Sequence, residues 1–195
     1  MRLILALAAS LLLCGCARAA GEAGGRIALA HVGAPKTSQK LQVASVAIGP
    51  DGAIGARHSS YGDNVSPPIR WSAAPGAAAY AVIVEDPDAP SPRPFVHWLV
   101  WNIPAGATAL AEGLPQAPKL TSPAGAIQGR NEGDGASGYW GPHPPPGPAH
   151  HYHLQVFALD APLALGAGAE RDALVAAMRG HVVADGEAVG TFKAP

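Results

Sequence analysis

Two apolar runs dominate the middle of the chain. Tyr80–Asp86 (YAVIVED) is β-branched and stops at Pro87, and Phe95–Asn102 (FVHWLVWN) is aromatic and β-branched and stops at Ile103-Pro104. Neither alternates apolar with polar residues as a strand with one wet face would, so both are predicted to be central strands covered on both faces. His153–Leu159 makes a third run of the same kind. Leu41–Val46 alternates loosely and ends at Gly49-Pro50-Asp51-Gly52, strong turn chemistry that places the start of the domain near Leu41. The period changes once. Over Glu170–Arg179, Leu174, Val175 and Met178 share one helical face, the first turn is acidic and Gly180 follows, which predicts an amphipathic helix. The pattern is mainly β with one or two helices.

Composition narrows this to one domain. Of 195 residues 48% are hydrophobic and 14% charged, enough for a core and too little charge for disorder. The 24 Gly and 20 Pro favour short strands joined by turns. Residues 1–19 stand apart: Arg2, an apolar run from Leu3 to Leu13 and then small residues form the three-part pattern of a secretory signal. That run is shorter than the roughly 20 residues a bilayer core requires. Leu13-Cys14-Gly15-Cys16 resembles a bacterial lipobox with Cys16 as the lipidated residue, whereas Ala17-Arg18-Ala19 offers soluble export with cleavage before Ala20. The expectation is an exported, periplasmic protein, anchored through lipid on Cys16. Residues 20–40 lack periodicity and read as a tether, with room for a first strand hidden in it, which leaves 41–195 as the folded domain.

Charge and cysteine then remove several function classes. Cys14 leaves with the signal and Cys16 is lipidated or lost, so thiol catalysis and cysteine-ligated zinc are excluded from the mature domain. Loss of Arg2 and Arg18 leaves 11 basic and 14 acidic residues, with no basic stripe. Nucleic acid is therefore not an expected partner, and membrane contact is expected only through the anchor.

Candidate chemistry concentrates in Gly138–Asp160, which holds four of the eight histidines. Along a strand His150 and Tyr152 share one face while His151 and His153 share the other. A zinc site built on two same-face histidines, completed by Asp86 or His97, has the right residue types, but no local sequence requires it and HEXXH is absent. No serine sits in a G-x-S-x-G frame. Asp86 and Asp88 flank Pro87 in a predicted turn, where carboxylates commonly cap backbone N–H groups.

Five elements in order carry a resemblance: Asn64-Val65-Ser66-Pro67-Pro68-Ile69-Arg70-Trp71, Asp86-Pro87-Asp88-Ala89-Pro90 with Val96-His97-Trp98, Gly129-Arg130-Asn131, Gly138-Tyr139-Trp140-Gly141-Pro142-His143-Pro144-Pro145, and His150-His151-Tyr152. Together they closely resemble the phosphatidylethanolamine-binding protein family, in its bacterial Raf-kinase-inhibitor-like branch, over roughly Leu41 to Lys193. The resemblance implies an antiparallel β-sandwich with a peripheral helix and a small pocket for phosphate-like anions. Its pocket residues carry over to Asp86, His97, His150 and Tyr152, with Pro144 in the wall. Two positions depart from the family. His143 stands where the family has Gly or another small or sulfur-containing residue, which would either narrow the pocket or add a donor, and Trp140 is bulkier than the common Gly.

The residue chemistry is consistent with such a ligand. A phosphate monoester is all acceptor, and histidines and a tyrosine hydroxyl offer donors, charge-assisted where an imidazole is protonated. Asp86 fits if it accepts from an imidazole N–H or meets the ammonium of an ethanolamine head group. The leading expectation is an exported, non-catalytic binding module for a phosphate-like anion or phospholipid head group, with no cofactor and no metal. An inhibitor or interaction protein acting on a protease or kinase is the second class, although an exported bacterial protein would not meet a Raf kinase. A metal-assisted hydrolase is the third.

Overall fold

The computed structural model describes residues 25–195. The expected signal, and Cys16 within it, lie outside these residues. Eight strands form two antiparallel sheets: β1 (Val43–Ala44), β2 (Ile69–Trp71) and β5 (Ala109–Leu110) in order β1-β2-β5, and β3 (Ala79–Asp86), β4 (Phe95–Pro104), β6 (Ile127–Gln128), β7 (His150–Leu159) and β8 (Val182–Phe192) in order β6-β4-β3-β7-β8. The one α-helix among the described residues, α1, spans Arg171–Met178, inside the predicted window. The mainly β, antiparallel architecture with a peripheral helix is the one expected.

The larger sheet is covered on both faces, which explains its unbroken apolar runs. On one face Trp98, Val100, Tyr152 and Leu154 meet Ile69, Trp71 and Leu110 of the smaller sheet. On the other, Leu99, Trp101, Phe157 and Leu159 meet Leu174, Val175 and Met178 of α1 together with Ala28 and Val32. All eight residues of β3 are buried, as a central strand between two layers must be.

Residues 26–40 correct the expectation of a tether. Ala28 and Val32 are buried. The backbone N–H of Ala28 donates to Glu85 Oε2 at 2.8 Å, that of Leu29 to Gln155 Oε1 at 2.8 Å, and Arg171 donates to the Arg26 carbonyl at 2.9 Å. Farther on, Lys36 and Thr37 donate to the backbone of β8. On the segment's side these contacts are made through main-chain atoms, so its side chains carry no periodicity to announce them. The packed domain begins near Arg26 rather than Leu41.

β8 was not legible either. Gly186 and Gly190 interrupt its apolar pattern, yet each is required by a close approach. A Cβ on Gly186 would run into the Leu41 carbonyl, and one on Gly190 would lie 2.7 Å from Ile54 Cγ1.

Candidate functional site

The site sits at the end of the large sheet where β3 finishes, β4 begins and β7 begins. Adjacent positions on β3 point to opposite faces, so Glu85 enters the layer under α1 while Asp86 faces the cleft. Asp86 Oδ1 accepts the N–H groups of Asp88 and Ala89, at 2.8 and 3.1 Å, and so closes the turn that Pro87 starts. Its Oδ2 accepts from His150 Nδ1 at 2.8 Å. The carboxylate therefore caps a turn and orients an imidazole at once. Both residues of this pair are buried, and among the described residues His150 Nε2 has no hydrogen-bond partner.

His97 reaches the same place through a β-bulge. Val84 pairs with Trp98 and Glu85 with Val96, leaving His97 as the extra residue of β4. Val96 then packs in the layer under α1, while His97 and Trp98, although consecutive, both face the sandwich interior. His97 Nδ1–H donates to the Trp140 carbonyl at 2.7 Å, and Trp140 N–H donates back to the His97 carbonyl at 2.9 Å. Burial pushes the imidazole pKa down to about 4, so at neutral pH the ring is uncharged and its Nε2 is an acceptor. A protonated His97 donating to an anion is thus not the state of this residue near pH 7.

The remaining expected residues divide. Pro144 is buried in the cleft wall, and its carbonyl accepts from the Tyr61 hydroxyl at 2.7 Å. His143 is exposed on the rim, stacked on Tyr61 with ring centroids 4.3 Å apart, and its Nδ1 lies 2.7 Å from Ser60 Oγ. Tyr152 lies beneath the cleft rather than in its lining, edge-on to His97 at 5.1 Å. Burial first, and then the Asp86 charge, raise the Tyr152 phenol, so it stays protonated, and its buried oxygen has no hydrogen-bond partner. His151 and His153 are on the other strand face, paired with Asp88 at 2.6 Å and Glu187 at 2.8 Å.

Asp86, His97, His143, Pro144 and His150 thus line one cleft of about 630 Å³. Its other walls come from residues whose role no local motif marks. Phe95 and Tyr61 are aromatic walls, and Glu132 clasps the edge of β4 by accepting the Val96 N–H at 2.8 Å while pairing with Arg93 at 2.6 Å. Trp140 lies against Gly133, where any Cβ would collide with the indole. Among the described residues no Lys or Arg is in the lining. A larger groove of about 720 Å³ runs between the N-terminal segment and β1 and β8, but it carries the Lys40–Asp185 pair and no histidine. Among the described residues no three His, Asp or Glu side chains converge as a metal-binding group.

Comparison with known proteins bears on the same elements. The profile of the family described as phosphatidylethanolamine-binding protein matches residues 44–193. A UPF0098 protein of Methanothermobacter thermautotrophicus is 41% identical over 143 residues, covering 73% of this chain and 91% of its own. LppC of Mycobacterium tuberculosis, whose name proposes a lipoprotein, is 35% identical over 157 residues, 80% of this chain and 74% of its own. Among solved structures, E. coli YbcL, described as a member of the mammalian PEBP family, superposes with a TM-score of 0.73 at 31% identity, covering 80% of this chain and all of that one. CT736 of Chlamydia trachomatis gives 0.69 at 33% identity, covering 81% of this chain and all of its own.

Proposed function

Because this chain belongs to the phosphatidylethanolamine-binding protein family, we propose that its Asp86–His150 cleft binds a phosphoryl head group without performing chemistry on it, in an exported protein anchored through Cys16. The observation that carries this reading is the buried 2.8 Å pair, which commits His150 Nδ1 to Asp86 and leaves Nε2 for a ligand. When His150 is protonated both nitrogens are donors, and the Asp86 carboxylate compensates the charge. Nε2 then offers a charge-assisted hydrogen bond to a phosphate oxygen.

The electrostatics of the cleft select among phosphoryl ligands. Among the described residues no Lys or Arg lines the cleft, Arg93 at its edge is paired with Glu132 and His97 is neutral, so no unpaired permanent positive charge is there to trap a free dianion. The lining instead offers aromatic faces at Phe95, Trp140 and Tyr61, with the Asp86 and Glu132 carboxylates nearby. A zwitterionic head group matches both halves, with its phosphate toward His150 and its ammonium toward the aromatic faces. Phosphoethanolamine is accordingly expected to bind more tightly than inorganic phosphate.

Calorimetric titration of phosphoethanolamine into the domain tests the assignment. A charge-assisted hydrogen bond contributes about 1.5–3 kcal/mol, so His150→Ala should weaken binding on the order of ten- to a hundredfold. His151→Ala, whose ring pairs with exposed Asp88, should change affinity less than about twofold. Equal losses from the two variants would place the ligand elsewhere.

A further inference from the structure

The point at which the N-terminal segment joins the domain is next to the mouth of this cleft. Gly25 lies against the loop that carries the cleft edge: a Cβ there would be 2.8 Å from Arg93 Cα and 2.9 Å from Pro94 Cδ. Ser91 and Phe95, on either side of that contact, line the cleft. The segment is fixed in this place by the Arg171 bond to the Arg26 carbonyl and by the Ala28 N–H bond to Glu85. Its docking geometry is therefore part of the fold, not a freely pivoting arm.

Sequence distance turns this position into an orientation. Eight residues, 17–24, separate Cys16 from Gly25. Nine chain steps reach at most about 30 Å when fully extended. A domain of this size is about 40 Å across. β4 takes nine steps from Phe95 at the cleft to Pro104, about 30 Å, so the opposite end of the sandwich could meet the bilayer only with the tether drawn to its full extension.

We infer that the lipid-anchored protein holds its cleft toward the bilayer from which the anchor extends, so that the occupant of the cleft is a phospholipid head group of that same membrane. This rests on the anchor and head-group readings above and adds to them a surface and a partner: the cleft edge at Ser91–Phe95 with its exposed rim of Tyr61 and His143, facing a lipid bilayer. The short tether raises the local concentration of head groups at the cleft without any additional contact.

The test uses the full, exported protein, purified and reconstituted in phosphatidylethanolamine-containing vesicles. Fluorophores are attached through Pro92→Cys, exposed beside the cleft, or through Gly106→Cys, exposed at the opposite end with open space around its Cβ. Energy transfer to head-group-labelled lipid should be stronger from position 92 than from 106, and inserting about 30 Gly/Ser residues between Ala20 and Gly21 should bring the two together. The same insertion should lower capture of vesicle lipid by the cleft by about five- to tenfold. Equal transfer from the two positions with the native tether overturns the inference, as does stronger transfer from 106 or an unlipidated Cys16 in the mass spectrum. Phosphoethanolamine titration of the soluble domain is independent of the tether, so a failure of orientation is distinguishable from a failure of the binding site.

Discussion

Glu85→Ala should be among the most destabilising single substitutions in the domain, lowering the unfolding free energy by about 3–5 kcal/mol, because it leaves a buried guanidinium with only the exposed Asp172 carboxylate, 3.1 Å away, as its counter-charge. Glu85 is fully buried on β3, and its two oxygens are shared by Arg171, Gln155 and the Ala28 N–H. Arg171 is itself buried: burial works against its charge, but the charge and hydrogen bond of Glu85 outweigh this and hold its pKa above the ordinary value. The substitution therefore strands one charge, one amide and one backbone donor together. At roughly 2–4 °C per kcal/mol for a domain of this size, the thermal midpoint should fall by about 10 °C. Amide exchange at Ala28 and Leu29 should accelerate well beyond that elsewhere, because their acceptors are removed or freed. Adding Arg171→Met should recover part of the loss, since replacing both partners of a buried pair with apolar groups is far less costly than removing one. A loss under about 1 kcal/mol would mean that the network does not secure the N-terminal segment.

Acid should weaken the fold through His97. The folded state keeps this imidazole neutral down to about pH 4, whereas in the unfolded chain it takes up a proton near its ordinary value of about 6.5. Between those values the unfolded chain binds more protons, so the stabilisation is fully present above about pH 6.5 and is lost as pH falls through about 4. A shift of that size corresponds to about 3 kcal/mol. His97→Gln, whose amide has a donor for the Trp140 carbonyl but no titrating group in this range, should show a flatter profile. The expected result is a difference in unfolding free energy between wild type and variant that shrinks by about 3 kcal/mol from pH 7 to pH 4 in urea titrations. A constant difference would mean that His97 is not held neutral by burial.

Much of the fold was readable because the central strands carry their own signal. β3, β4 and most of β7 are continuous β-branched or aromatic runs, and two covered faces permit nothing else. The helix announced itself through Leu174, Val175 and Met178. What escaped was structure made by the main chain or by absent side chains: residues 26–40, which dock through backbone groups, and β8, whose glycines make room for Leu41 and Ile54. β5 and β6 are two residues long, too short for any period.

The candidate site divides in the same way. Alternation along one strand separated His150 and Tyr152 from His151 and His153, and the motif around Asp86 raised both of the roles that its carboxylate fills. The bulge that turns His97 inward is a property of strand pairing, which local residue types do not mark. Nor does local pattern reveal that Tyr152 stops beneath the cleft, or that Glu132 and Tyr61 converge on it from other parts of the chain.

The central claim is that His150, held by Asp86, is the group that meets the ligand. Nitrogen-detected NMR of the imidazole side chains, followed while phosphoethanolamine is added, tests it most directly. The ring signals of His150 should shift saturably, with Nε2 moving toward the protonated, hydrogen-bonded value, while those of His151, His153 and His181 stay in place. Saturation of the ligand with His150 unmoved, or with His151 and His153 shifting in its stead, would contradict the account.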